Sequence, residues 1–234
     1  MANSFVPERP ALHAPHPREA TEWIVAYSYN ANDDTLPRVL LIGDSICNGY
    51  HQFVREELAG VANVAFFATS KCVVDQSYLR SLAFFLDEHD YAAIHFNNGL
   101  HSLYTDLGDW ENCLRAAVKL LQERGKGAKL IWASSTPLKD PERTAKAQAL
   151  NAVAARVMAE ARIPTNDLFA LLDPLDRETH WGDTFHHKDD TRKLCGKAVA
   201  DRLRAALGQG RASESEAKAA LAAGDTETGP DGKL

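Results

Sequence analysis

Several patterns that would narrow the function at once are missing from this 234-residue sequence. No apolar run approaches the roughly 18 residues of a membrane span, so no spanning helix is expected. The start, "MANSFVPERPALHAPHPREA", carries proline and charge but none of the apolar core of a secretory signal, and a cytoplasmic location is the expectation. Positive charge is not in excess: 26 Lys and Arg stand against 32 Asp and Glu, a formal net charge of -6. Nucleic acid and anionic membranes favour basic surfaces, so neither is an expected partner. Cysteine is sparse. Cys47, Cys72, Cys113 and Cys195 form no C-x-x-C pair, which argues against a zinc knuckle or dithiol redox motif. They read as separate thiols of a reducing compartment. Cys47 and Cys72 both fall at strand ends, and a bridge between them stays open. H-x-H and H-E-x-x-H are missing too, and no internal repeat is visible.

What is present is a regular alternation. Apolar residues make up 45% of the chain, ordinary for a globular protein, and the length suffices for one α/β core. Short apolar runs read as strands: "RVLLIGDS", "VANVAFFAT", "YAAIHFNNG", "AKLIWASSTPL" and the start of "IPTNDLFALL". Between them lie amphipathic stretches of helical spacing, among them "DWENCLRAAVKLLQERGKG", closed by glycine, and "PERTAKAQALNAVAARVMAEA", opened by proline. Strands joined by helices of this length imply right-handed crossovers and a parallel sheet. The expected fold is α/β, a three-layer α/β/α flavodoxin-like sandwich with a five-stranded parallel sheet, over residues 37–207. Residues 1–36 read as an irregular lead-in packing on that domain through "TEWIVAYSY". Residues 208–234, polar and glycine-rich, are expected to be disordered.

In such a sheet the ligand crevice lies beyond the carboxyl ends of the strands. Those ends carry Gly43-Asp44-Ser45, then Thr69-Ser70-Lys71-Cys72, then Asn97-Asn98-Gly99 with His101, then Ser134-Ser135-Thr136. "HWGDTFHHKDD" precedes the last helix. A serine hydroxyl becomes a nucleophile when a base takes its proton and a third group orients the base. Asp183 and His186, three residues apart around a turn, offer that pair for Ser45. The oxyanion formed by attack needs fixed donors, each typically contributing about 3–4 kcal/mol. The Ser45 N–H at a helix start is one, and an Asn side chain from the third strand is a natural second.

"LLIGDSI", "IHFNNGLH" and "DTFH", in that order, resemble three of the four signature blocks of the SGNH/GDSL hydrolases. The resemblance runs from about Arg38 to Leu207. It implies the SGNH hydrolase fold, Ser45 as nucleophile, His186 as base, Asp183 as its orienter, and no cofactor. "IHFNNGLH" most resembles the branch with carbohydrate-acetyl esterases. Two departures stand out. The family's block-two glycine has no counterpart between Val61 and Asp90, which turns attention to the backbone near Ser70 or Lys71. Block three reads Asn97-Asn98-Gly99, and of the two amides Asn97 is favoured for the pocket.

Each motif also has a plainer reading. Ser45 also suits a plain N-cap of the next helix, with Asp44 in the turn. His101 suits a substrate contact and a structural hydrogen bond equally. His95, alternating with apolar residues, reads as a buried core histidine, and Trp132 as core. Trp181, just before the Asp-x-x-His turn, is the better sugar-stacking candidate. Asp44, His101, Asp183, His186 and His187 contain ligand types for a metal but not its usual spacing, so no metal site is expected. The favoured function is a serine esterase acting on a short acyl ester, such as acetyl, of a carbohydrate or other small molecule. The alternatives are a non-catalytic binding domain on the same fold and an acyltransferase using the same triad.

Overall fold

The computed structural model describes Val6 and residues 8–208; the tail expectation for 209–234 lies outside the described residues. The chain runs β1 (Ile24–Ser28), β2 (Arg38–Gly43), α1 (Ser45–Glu57), β3 (Asn63–Thr69), α2 (Gln76–Glu88) and β4 (Ala93–Phe96). A short 3-10 turn (Leu100–Ser102) leads into α3 (Leu107–Arg124), β5 (Lys129–Ala133), α4 (Pro141–Ala161) and β6 (Thr165–Asn166). Two short helices, α5 (Leu168–Leu172) and α6 (Arg177–His180), precede the long α7 (Asp189–Leu207).

The sheet order is β1-β3-β2-β4-β5-β6. Strands β2 to β6 are mutually parallel, the five expected from the alternation. The sixth corrects the reading of the lead-in as irregular. β1 pairs antiparallel with β3, Ile24 opposite Thr69 and Ser28 opposite Ala65. Its pattern is only half-buried, as an edge strand allows, so its apolar signal is weak. Helices cover both faces in three layers, with α1 and α7 packed together against β2, β3, β4 and β6, while α2, α3 and α4 pack in succession.

The apolar run of β2 explains the centre. Val39 to Ile42 are at most 1% exposed, because parallel strands covered on both faces have no solvent side. Arg38 begins the strand buried, and its guanidinium donates to the Tyr29, Asn30 and Asp33 carbonyls, which ties down the β1–β2 connection. Trp132 and Phe96 meet edge to face in the core, as expected for Trp132. Trp181 corrects its expectation: it is 1% exposed, with Arg177 over its ring and His187 against it, and offers no platform to a sugar.

β2 has β3 on one side and β4 on the other, so the chain order reverses beside it. A crevice opens at such a switch point, beyond the strand's carboxyl end. That is where Ser45 begins α1.

Candidate active site

The turn from β2 into α1 is shaped by close packing. A Cβ on Gly43 would come within 2.6 Å of Cys47 Cβ, so only glycine lets the strand turn this tightly into α1. Asp44 is the N-cap of α1, its Oδ1 accepting from Ile46 N at 2.9 Å. The cap is therefore Asp44, which corrects the reading of Ser45 as the N-cap. Ser45 is the next residue, half-exposed, with its N–H among the first helical amides that lack an intrahelical acceptor.

The Asp-x-x-His segment is a small hairpin. Trp181 and His187 form an antiparallel bridge, and Gly182 N donates to His186 O at 2.8 Å. Inside it, Asp183 Oδ1 accepts from the Phe185 and His186 amides, both at 2.8 Å. That leaves Oδ2 facing His186 Nδ1 at 2.8 Å. The opposite ring nitrogen, Nε2, lies 2.9 Å from Ser45 Oγ. A carboxylate only accepts, so Nδ1 carries the proton and Nε2 presents its lone pair to the hydroxyl. Burial would raise the Asp183 carboxyl, but the bonds from the His186 ring and the two amides outweigh it and hold the pKa at about 2. Asp183 is thus charged at neutral pH.

Helix packing joins residues 141 positions apart. Helix α7 presses on α1 where a Gly196 Cβ would come within 2.5 Å of Phe53 Cβ. Both helices start on the same rim, so the N-terminal end of α1 and its partial positive charge lie at Ser45.

The remaining predicted residues are placed differently. Asn97 Nδ2 donates to Ala133 O at 2.7 Å and to Ser135 Oγ at 3.2 Å, bridging β4 to β5. Gly99 makes that approach feasible, since its Cβ would fall 1.8 Å from Ser135 Oγ. Asn98 accepts from Val73 N at 2.9 Å and donates to Lys71 O at 3.1 Å, clamping the loop after β3. In the backbone near Ser70 and Lys71, where a second donor is expected, Ser70 N donates to Trp23 O and Lys71 N to Thr69 Oγ1. Both amides are spent on holding the loop and the lead-in.

The lead-in supplies the residues that sequence reading missed. Trp23 N donates to Ser70 Oγ at 2.9 Å, Glu22 pairs with Lys71 Nζ, and Glu19 bonds His101 Nδ1 at 2.8 Å. Trp23 also stands edge-on to the His101 ring. His101 is therefore held from the lead-in side. Nothing in the local sequence around Glu19 or Glu22 marks them, because their partners lie 49 to 82 positions away.

His95 and His187 read as structural. His95 is 0% exposed and bonded through Nε2 to Asn166; burial pushes its pKa down to about 3. Burial, with the nearby His186, Arg192 and Arg177 charges, pushes His187 down to about 4. All four cysteines are buried and free, so Cys47 and Cys72 form no bridge.

No family model matches the sequence, and no curated protein matches it significantly. Solved structures do match in fold. The acetyl xylan esterase AlAXEase superposes with a TM-score of 0.59 at 15% identity, covering 71% of this chain and 99% of that one. The acetylxylan esterase Axe2 of Geobacillus stearothermophilus gives 0.58 at 16% identity, covering 74% and 95%. A lipase/acylhydrolase of Enterococcus faecalis gives 0.57 at 18% identity, covering 72% and 96%. The chain thus has the fold of the SGNH/GDSL hydrolases. Among the described residues no helix is long and apolar enough to cross a membrane.

Proposed function

We propose that this chain is a serine ester hydrolase. The observation that carries the reading is the unbroken chain Ser45 Oγ, His186 Nε2, His186 Nδ1, Asp183 Oδ2, with contacts of 2.9 and 2.8 Å at the carboxyl end of a parallel sheet. Ser45 Oγ attacks the ester carbonyl while His186 Nε2 takes its proton. The imidazolium so formed is stabilised by Asp183 and returns the proton to the leaving alcohol. Water, deprotonated by His186, then releases the acid from Ser45.

The oxyanion draws on the Ser45 N–H and the α1 N-terminus. Asn97 supplies a second donor by exchanging its longer bond, that to Ser135 Oγ, for the oxyanion. Asn98, His101, Ser70 and Lys71 act by holding the rim rather than by touching the reacting atoms.

The substrate is a short acyl ester, acetyl on a carbohydrate being the favoured case. Two esterases of the same fold act on acetylated xylan by their names, and a catalytic mutant of one replaces a serine with alanine. Transfer to a sugar alcohol instead of water would use the same acyl-enzyme, and product analysis with an added acceptor separates the two. A binding domain is the second reading, favoured by the occupied amides of Ser70 and Lys71. Intact mass after exposure to a fluorophosphonate decides between enzyme and binder. One adduct in the wild type, absent in Ser45→Ala and His186→Ala, supports the esterase. No adduct on folded wild type overturns it.

A further inference from the structure

A second cluster of reactive side chains lies away from the triad, where the lead-in crosses the loop after β3. His16 Nε2 is 3.2 Å from Cys72 Sγ. Asp75 is three residues beyond Cys72, and the ligand atoms of all three lie within 4.8 Å of one another. We propose that His16, Cys72 and Asp75 form a three-ligand site for a divalent transition metal, zinc being the best match, which staples the lead-in to the body of the fold.

The donor set is the first reason. One thiolate, one imidazole and one carboxylate suit zinc, and the two anions balance its charge. Three protein ligands leave a fourth position for solvent.

Orientation is the second. His16 Nδ1 is bonded to Thr105 Oγ1 at 2.9 Å. A ligating histidine commonly donates its second N–H to an oxygen, which fixes the tautomer that turns the other nitrogen to the metal. Asp75 is an N-cap residue of α2 whose side chain makes no capping bond. Its carboxylate instead accepts from Cys72 N at 3.1 Å, while Asp75 N donates to Cys72 O. The Cys-x-x-Asp turn is therefore preformed with both side chains on one side.

Access is the third. His16 and Asp75 both line an open cleft of about 770 Å³, together with Arg18, Gln76 and Ser77, so an ion can reach these two ligands from solvent, while Cys72 is buried. The surrounding charges are mixed: Glu22 and Asp75 act on His16 against Arg9 and Arg18. A thiol binds a metal as its thiolate, so binding would release the Cys72 proton to solvent.

Sequence spacing concealed this site, because His16 is 56 residues from Cys72. The inference does not rest on ester hydrolysis, and its test needs no substrate.

The test is a Co²⁺ titration of the full chain followed by absorbance, with Zn²⁺ content after dialysis measured by elemental mass spectrometry. The expected result is one metal per chain and a thiolate-to-cobalt charge-transfer band, in wild type and in Ser45→Ala alike. The band should vanish in Cys72→Ser, and affinity should fall at least tenfold in His16→Ala. In Thr105→Val a loss of about 10–100-fold is expected, since that change removes only the orienting hydroxyl. Should the buried Cys72→Ser fail to fold, His16→Ala decides, as it lies on the lead-in before the sheet begins. No band in wild type, or equal affinity in wild type and His16→Ala, overturns the proposal.

Discussion

The rim of the sheet has two halves that answer differently to the same kind of residue. On the β2–α7 side, Ser45, His186 and Asp183 are partly exposed and bonded to one another in a line. On the β3–β4 side, Ser70, Lys71, Asn98 and His101 are just as polar, yet their groups are committed to the lead-in or to each other. The lesson is about competition. A polar group at a strand end serves substrate at the cost of whatever protein bond it already makes. The Asp-x-x-His hairpin satisfies its own backbone and leaves one ring nitrogen to Ser45. The loop after β3, with no glycine, is satisfied by Trp23, Glu22 and Asn98.

The largest effect should come from breaking the first half. Ser45→Ala or His186→Ala should lower kcat/KM for an aryl acetate by on the order of 10⁴ or more, with unchanged circular dichroism. A loss under tenfold would remove the triad from the mechanism. Asp183→Asn should cost about 10³–10⁴, because an amide donor no longer selects the Nδ1–H tautomer. A wild-type rate in that variant would leave Asp183 as a turn residue only.

Gly99→Ala strikes the boundary between the halves. Its Cβ cannot share space with Ser135 Oγ, and the loss should be about 1–3 kcal/mol in urea unfolding, with the Asn97 donor displaced. Acid should act next. His95 and His187 have native pKa values of about 3 and about 4, below the unfolded histidine value. The unfolded chain therefore binds protons first, and stability present above about pH 6.5 is lost as pH falls toward 4, by on the order of 1 kcal/mol per pH unit and ring. His95→Gln should flatten that slope; a slope unaltered in the variant would refute the assignment. The smallest effect belongs to Glu19→Ala, which frees His101 from a partly exposed pair. Its kcat/KM should stay within about fivefold of wild type, since such pairs contribute under about 1 kcal/mol. A much larger loss would move His101 from the rim scaffold to a substrate contact.

The alternation of apolar runs and amphipathic stretches determined the layers and the five parallel strands, because burial on both faces writes a continuous signal such as Val39 to Ile42. The order of Gly-Asp-Ser, the Asn pair and Asp-x-x-His determined where to look for chemistry, since strand ends converge on one rim. β1 was not legible, because an antiparallel edge strand buries one face and its pattern dilutes among polar neighbours. Nor was the fate of Ser70, Lys71 and His101, which depends on a segment 47 to 82 positions away. Asn97 and Asn98 could be assigned to the rim from sequence, but only packing decided that one bridges to Ser135 and the other clamps Lys71. Local periodicity reports which face of an element is buried. Which groups remain free for a ligand is set by contacts between elements far apart in the chain, and only tertiary structure decides those.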